Sequence, residues 1–362
     1  MEKPRYIIPI FVPHEGCPHE CVFCNQNSIT GSSTKVTSDT VKATVEEYLK
    51  TLPKKNRVLE VSFFGGTFTA INIDKQKELL TVAKDYKDKG IIDYIRLSTR
   101  PDYIDSYILD NLKQYKVDII ELGVQSMNRE VLIKSARGHS SEDVKKASEL
   151  IRNYGFILGH QIMLGLPGDD FKKDIETTEE IIKLRPDICR IYPSLVIKDT
   201  PMEKMYAAKV YKPYTLEEAV HIAKIVYGML SANNIKVIRV GLQPTEEINK
   251  GKDLIDGPFH PSFRELVEGS IYNDMIVYNA PKDYIGDFEI TLNEKDISKL
   301  YASKKVFFND TKKQLKTLNI KINQSDKIPR GEIQLIYNNT CHKLSIDKHL
   351  TNKYKEGYFN LL

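Results

Sequence analysis

Between residues 5 and 250 the chain alternates short runs rich in β-branched and aromatic residues with longer amphipathic stretches, which leaves few folds open to it. The strand-like runs are 6–12, 59–64, 94–98, 119–124, 156–164, 188–195 and 236–242. Between them, 38–52, 74–89, 103–115, 141–154, 172–184 and 216–233 carry apolar residues at helical spacing. Ser38 and Ser140 are N-cap candidates, each followed by acidic residues in the first turn. Strands separated by helices pair in parallel, so the expected class is α/β, with helices outside the sheet. Six such units before a seventh strand predict a partial (β/α)6 TIM-type barrel. In such a barrel the chemistry lies at the C-terminal ends of the strands.

After about residue 255 the pattern changes. A loop at 256–261 leads into an amphipathic stretch at 262–278. Shorter elements follow at 286–292, 296–302, 304–308, 311–318 and 332–337, and then a polar tail. The expected division is a barrel over 1–250 and a small C-terminal α+β appendage over 251–362 that covers the barrel mouth. Lysine is roughly balanced by acid there, which reads as a solvated surface.

Three of the five cysteines fall within eight residues, as Cys17-Pro-His-Glu-Cys21-Val-Phe23-Cys24, directly after the first strand. An odd and mostly bunched set of thiols is no disulfide framework. Three thiolates on one loop can hold three corners of an iron–sulfur cube and leave the fourth iron open. A structural zinc with His14 or His19 as fourth ligand is the other reading of the same residues. The second strand ends in Phe64-Gly65-Gly66-Thr67, where paired glycines bring backbone groups close to a ligand. Strand parity puts Glu121, Gly123 and Gln125 on one face, and likewise Arg190, Tyr192 and Ser194, and Arg239, Gly241 and Gln243. This predicts a polar interior lined for a ligand. Cys189 is expected as a buried thiol and Cys341 as an exposed one.

With these motifs the chain resembles the radical S-adenosylmethionine (SAM) enzymes over roughly residues 5–245. Their hallmark is Cys-x-x-x-Cys-x-aromatic-Cys after the first barrel strand, matched by Cys17, Cys21, Phe23 and Cys24. Their second strand ends in a Gly-Gly-Glu variant that holds the amino group of SAM, matched by Gly65, Gly66 and Thr67. Within that superfamily the chain is most similar to the radical-SAM half of the elongator catalytic subunit, and next to oxygen-independent coproporphyrinogen III oxidase. The stretches Ser98-Thr-Arg-Pro-Asp-Tyr-Ile, Glu121-Leu-Gly-Val-Gln-Ser-Met, Arg137-Gly-His and Leu164-Gly-Leu-Pro-Gly-Asp carry that likeness. The resemblance implies SAM contacts from Gln125 and Arg137. Gln161 stands where the porphyrinogen oxidases carry an acid, and Ser98 where the elongator pattern favours glutamate.

What the resemblance implies is a [4Fe-4S] cluster on the three cysteines, with SAM chelating the fourth iron. One-electron reduction, from a donor such as ferredoxin or flavodoxin, then yields a 5′-deoxyadenosyl radical that takes a hydrogen atom from substrate. The elongator likeness implies tRNA uridine as that substrate, and a small metabolite or tetrapyrrole is the alternative. The elongator relative delivers acetyl-CoA from a second domain, for which about 100 residues past the barrel are too few. No run approaches the ~18 apolar residues of a membrane span, and Met1-Glu-Lys-Pro-Arg-Tyr6 does not read as a signal peptide. The expectation is a cytoplasmic enzyme. A net charge of +4 permits a nucleic-acid partner without requiring one.

Overall fold

The computed structural model describes residues 3–12, 17, 19–25, 36–242, 252–316 and 319–357. Seven strands form one parallel sheet in the order β1 (Arg5–Val12), β2 (Val58–Gly65), β3 (Tyr94–Thr99), β4 (Ile119–Gln125), β5 (Ile157–Leu164), β6 (Ile188–Pro193) and, after a short β7 (Val196–Ile197), β8 (Lys236–Val240). No pairing joins β1 to β8 among the described residues, so the sheet curls into a half-barrel with two edges. Its crossovers are α1 (Ser38–Thr51), α2 (Ile73–Asp88), α3 (Ser106–Gln114), α4 (Arg129–Lys134), α5 (Ser141–Asn153), α6 (Phe171–Leu184), α7 (Pro201–Ala207) and α8 (Leu216–Ala232). All seven expected strands and six expected helices are present, and α4 and α7 are additions. The cap of α1 is Thr37 rather than Ser38. Its hydroxyl accepts from the Thr40 N–H while Thr40 Oγ1 accepts from the Thr37 N–H. Ser140 caps α5 as expected, paired with Asp143. Each such cap contributes about 1 kcal/mol.

Parity divides the sheet. Ile8, Ile10, Leu59, Val61, Leu97 and Leu122 pack under the helices in one apolar core, which also takes the fully buried Cys189. Arg5, Glu60, Arg96, Glu121 and Arg190 therefore face the concave side, and they bond in series. Arg5 Nε lies 3.1 Å from Glu60, Arg96 donates from Nη2 to Glu60 at 3.1 Å and from Nη1 to Glu121 at 2.9 Å, and Arg190 Nε donates to Glu121 at 2.8 Å. Glu60, Arg96 and Glu121 are at most 1% exposed. This charged ladder takes the place of the apolar layers that fill a closed barrel.

Beyond β8, the strand β9 (Leu254–Asp256) pairs antiparallel with β7 at the C-terminal end of the sheet. Helix α9 (Phe263–Asn279) then covers the β8 edge, where Arg264 Nη1 donates to the carbonyls of Val237 and Ile238 at 3.4 and 3.3 Å. Phe263, Leu266, Val267 and Ile271 of this helix belong to the same core as the barrel strands. Its other residues, Tyr272, Met275 and Ile276, join a second core under a sheet ordered β11 (Ile320–Gln324), β10 (Phe288–Leu292), β12 (Glu332–Tyr337), β13 (Thr340–Ser345). The helices α10 (Ile297–Leu300) and α11 (Val306–Gln314) lie between β10 and β11. What reads as a polar tail is helix α12 (Ile346–Lys355), packed on α8. It is fastened by His349 and Lys353, which bond Asp274 at 3.1 and 2.6 Å. Among the described residues no helix is long and apolar enough to cross a membrane.

Candidate active site

The cysteine loop leaves β1 at the C-terminal end of the sheet, where α/β barrels carry their chemistry. Its backbone is pinned from two sides. Val22 N donates to Ser135 O at 3.2 Å, and Met202 N donates to Val22 O at 2.8 Å. A turn closed by Cys24 N to Cys21 O at 3.0 Å brings the last two thiols round. Val22 sits in a small apolar cluster with Val196, Met202 and Tyr211, and Phe23 packs against it. The aromatic residue before the last cysteine therefore anchors the loop as well as facing the cavity.

One cavity of about 570 Å³ is lined by Cys17, Cys21, Cys24, Phe23, Gly65, Gly66, Thr67, Gln125, Arg137 and Gln161. The ten residues expected to hold the cluster and SAM are brought together there, whereas Arg190, Tyr192, Ser194, Arg239 and Gly241 do not line it. Gly65 has φ +109°, and a Cβ would stand 2.8 Å from Val12 O, the carbonyl that accepts from the Gly66 N–H. Only glycine fits that position. Thr67 Oγ1 lies 3.4 Å from Cys17 Sγ and ties the strand end to the loop.

Gln125 reaches the cavity by a route that simple alternation misses. The β4–β5 register slips between Gly123 and Gln125, and Gln125 takes φ +67°. Its buried Oε1 has no hydrogen-bond partner. Arg137 is 6% exposed; its Nη1 donates to Cys21 Sγ at 3.1 Å and its Nη2 to Gly123 O. Its positive charge is therefore held against the cysteine loop, fixed from behind by Arg100, which donates to the Arg137 carbonyl. Burial and the charges of Arg137 and Arg100 hold the neighbouring His139 down at about 3, so it is neutral, with Nε2 donating to Val124 O at 3.1 Å. The two departures from the related patterns meet each other, since Gln161 Nε2 donates to Ser98 Oγ at 3.2 Å. Gln243 lies outside the described residues. The sequence reading gave no role to Arg100, Asp199 or Pro201, which also line the cavity. For Arg100 the Ser98-Thr-Arg run was the available signal.

The donor set fits an iron–sulfur cube. A cube offers a separate iron to each thiolate, and Cys17, Cys21 and Cys24 line one cavity. The bare Gln125 oxygen and the glycine-lined strand end leave room and hydrogen bonding for a polar ligand beside it.

A half-barrel with this loop at its C-terminal end defines a class. The radical SAM superfamily matches residues 11–181 and the radical SAM C-terminal domain matches 186–273, so the protein belongs to the radical SAM superfamily of enzymes. That family implies a [4Fe-4S] cluster and SAM. The chain is similar to the tRNA uridine(34) acetyltransferase of Methanocaldococcus jannaschii, with 28% identity over 255 residues, 60% of this chain and 47% of that protein. An uncharacterised protein of the same archaeon is 31% identical over 223 residues, 58% of this chain and 67% of that one. In fold it is similar to the solved Elp3 of Methanocaldococcus infernus, with a TM-score of 0.61 and 23% identity, covering 76% of this chain and 64% of that one. The chain spans about half the length of the tRNA-modifying relatives it matches.

Proposed function

We propose that this enzyme holds a [4Fe-4S] cluster on Cys17, Cys21 and Cys24, binds SAM beside it, and modifies a uridine base of tRNA. The observation that carries this reading is the single cavity in which three thiols face Gly65, Gly66, Thr67, Gln125 and Gln161. When bound, the cluster and SAM supply a one-electron cleavage that yields a carbon radical able to take a hydrogen atom from substrate. The protein's own residues hold and orient. Arg137 keeps a guanidinium at Cys21 Sγ, where it stabilises thiolate charge, and Phe23 keeps the loop seated on its apolar cluster. Gly65 and Gly66 would admit the amino-acid end of SAM to the strand edge. Gln125, with its spare carbonyl, and the neutral Ser98–Gln161 pair would serve the nucleoside end. Ferredoxin or flavodoxin fits as the electron source. The tRNA part of the proposal comes from the named activity of the relatives.

The test is anaerobic reconstitution with iron, sulfide, SAM and a reductant, followed by incubation with fully deuterated tRNA. The expected result is four irons per chain, 5′-deoxyadenosine formation, and deuterium carried from tRNA into that product. Cys21→Ala should lose the iron. Iron-free protein, or 5′-deoxyadenosine that never gains deuterium from tRNA, overturns the respective half of the proposal.

A further inference from the structure

On the concave face, next to the cavity just described, lies a patch of a different character. Ile8, Ile10 and Val12 of β1 are in the helix-side core, so Ile7 and Phe11 face inward, and they are 36% and 38% exposed. Phe11 pairs with Phe64 in register, their ring centroids 6.3 Å apart. The Arg190 guanidinium lies over the Phe64 ring at 5.2 Å, held there by Glu121. Its Nη1 donates to the Tyr192 hydroxyl at 3.4 Å. Because that oxygen accepts from Arg190, the phenolic proton of half-buried Tyr192 is left to donate elsewhere. Arg190 is 7% exposed, and its Nη2 is buried with no hydrogen-bond partner. A buried donor without an acceptor is costly unless a ligand completes it.

The patch joins the cavity on two sides. Phe64 directly precedes Gly65 and Gly66, and Arg190 is the register partner of Gln161. It thus offers an open aromatic ring and hydrogen-bond donors beside the place where the hydrogen-abstracting radical arises. We propose that Phe11, Phe64 and Tyr192 form the seat of the substrate base and select a flat ring edged by carbonyl oxygens, an oxopyrimidine. Phe11 supplies the stacking face and Tyr192 donates to a ring carbonyl. Arg190, itself held by Glu121, is a positioning residue that lies over Phe64 and donates to Tyr192. A base with an amino group at that edge would meet donor with donor, so uracil is favoured over cytosine. This rests on the reading of the site as a radical-SAM centre acting on RNA.

The experiment uses the reconstituted full chain and fluorescently labelled RNA stem-loops carrying uridine, cytidine or an abasic site at one loop position, with affinity read by anisotropy. Stacking predicts that uridine binds between about 5- and 150-fold tighter than the abasic loop. Phe11→Ala should remove that preference. Tyr192→Phe should keep base over abasic but lose uridine over cytidine. Phe11→Tyr, which keeps the ring, should restore stacking and guards against a folding defect, checked by circular dichroism. If deuterium still passes from tRNA while wild type shows no base preference, or while both variants leave it unchanged, the seat is wrong and the functional reading stands. If wild type neither binds the RNA nor takes deuterium from tRNA, both fall.

Discussion

Replacing Arg96 by methionine keeps most of the side-chain volume and takes away one charge, so its effect isolates the electrostatics of the ladder. Arg96 is 1% exposed; it donates to Glu60 at 3.1 Å and to Glu121 at 2.9 Å and holds its Nε 2.9 Å from Glu60, while both carboxylates are fully buried. Removing one partner of a buried ion pair costs roughly 3–5 kcal/mol, because the charge left behind is unpaired in a medium that solvates it poorly. Here each carboxylate keeps a second cation, Arg5 for Glu60 at 3.1 Å and Arg190 for Glu121 at 2.8 Å. The loss should therefore sit near the lower end, ~3 kcal/mol. Urea unfolding under anaerobic conditions reads this directly; with a slope of ~3 kcal/mol/M the midpoint falls by about 1 M. Adding Glu121→Gln to Arg96→Met takes the carboxylate partner from the buried Arg190 guanidinium, so the double variant should be less stable still. A single variant that loses under ~1 kcal/mol, or a double variant as stable as the single one, refutes the argument.

Four further outcomes follow from named contacts. Gly65→Ala must hold alanine at φ +109° with its Cβ 2.8 Å from Val12 O, so thermal unfolding should show a loss of at least ~1–3 kcal/mol; an unchanged melting profile contradicts this. Gly159→Ala would put a Cβ 2.7 Å from Glu121 Cγ and should destabilise wild type more than a Glu121→Ala background, where that atom is absent; equal losses in the two backgrounds refute it. Burial and the nearby Asp169 hold the Asp174 carboxyl above its ordinary range, and burial pushes Asp169 up to about 6. Acids raised in this way cost stability as pH climbs above about 4, where the unfolded carboxyl ionises, so Asp174→Asn should match wild type below that pH and gain on it as pH rises; a difference that does not vary with pH rules this out. Truncation after Leu254 removes Phe263, Leu266, Val267 and Ile271 from the barrel's own core and should give insoluble protein, so a soluble, cooperatively unfolding fragment would count against that packing.

The strands and crossover helices were legible because their signal is local. A run with one face buried under helices shows its period in the sequence, and the observed elements match those runs to within a few residues. Helix α12 was not legible, because His349 and Lys353 look like surface residues until Asp274, more than seventy positions earlier, is seen to pair them. Strands β11 and β13 are short and half-exposed, which leaves little hydrophobic pattern to read. The candidate site divides in the same way. The cysteine loop and Gly65-Gly66 announce themselves by spacing. The direction of Arg137 toward Cys21 depends on the turn after α4, and the position of Gln125 depends on a bulge. Glu60 and Arg96 passed unnoticed as single charges in apolar runs. Their importance appears only when parallel register sets them on one face, two positions apart, where Arg96 reaches Glu60.

The ladder also explains how an open sheet keeps its curl. A closed barrel is held by its own hydrogen bonds all the way round and can fill its centre with packed apolar layers. A seven-stranded half-barrel has neither closure nor an enclosed centre, and apolar layers on its concave face would be wetted at the open side. Here Arg5, Glu60, Arg96 and Glu121 come from four successive strands, and the series reaches Arg190 of β6 by passing over β5. That crossing is possible because β5 contributes Gly159, which leaves the space Glu121 occupies. Each charge bonds a neighbour of opposite sign on another strand, so flattening or further closure of the sheet would break buried ion pairs in sequence. The curvature that sets β2, β4 and β5 at their distances around the cavity is thereby fixed from below. The upper side of the same face stays free for polar ligands. The last member of the ladder, Arg190, reaches Phe64 and Tyr192, so the device that holds the scaffold also orients the surface we assign to the substrate.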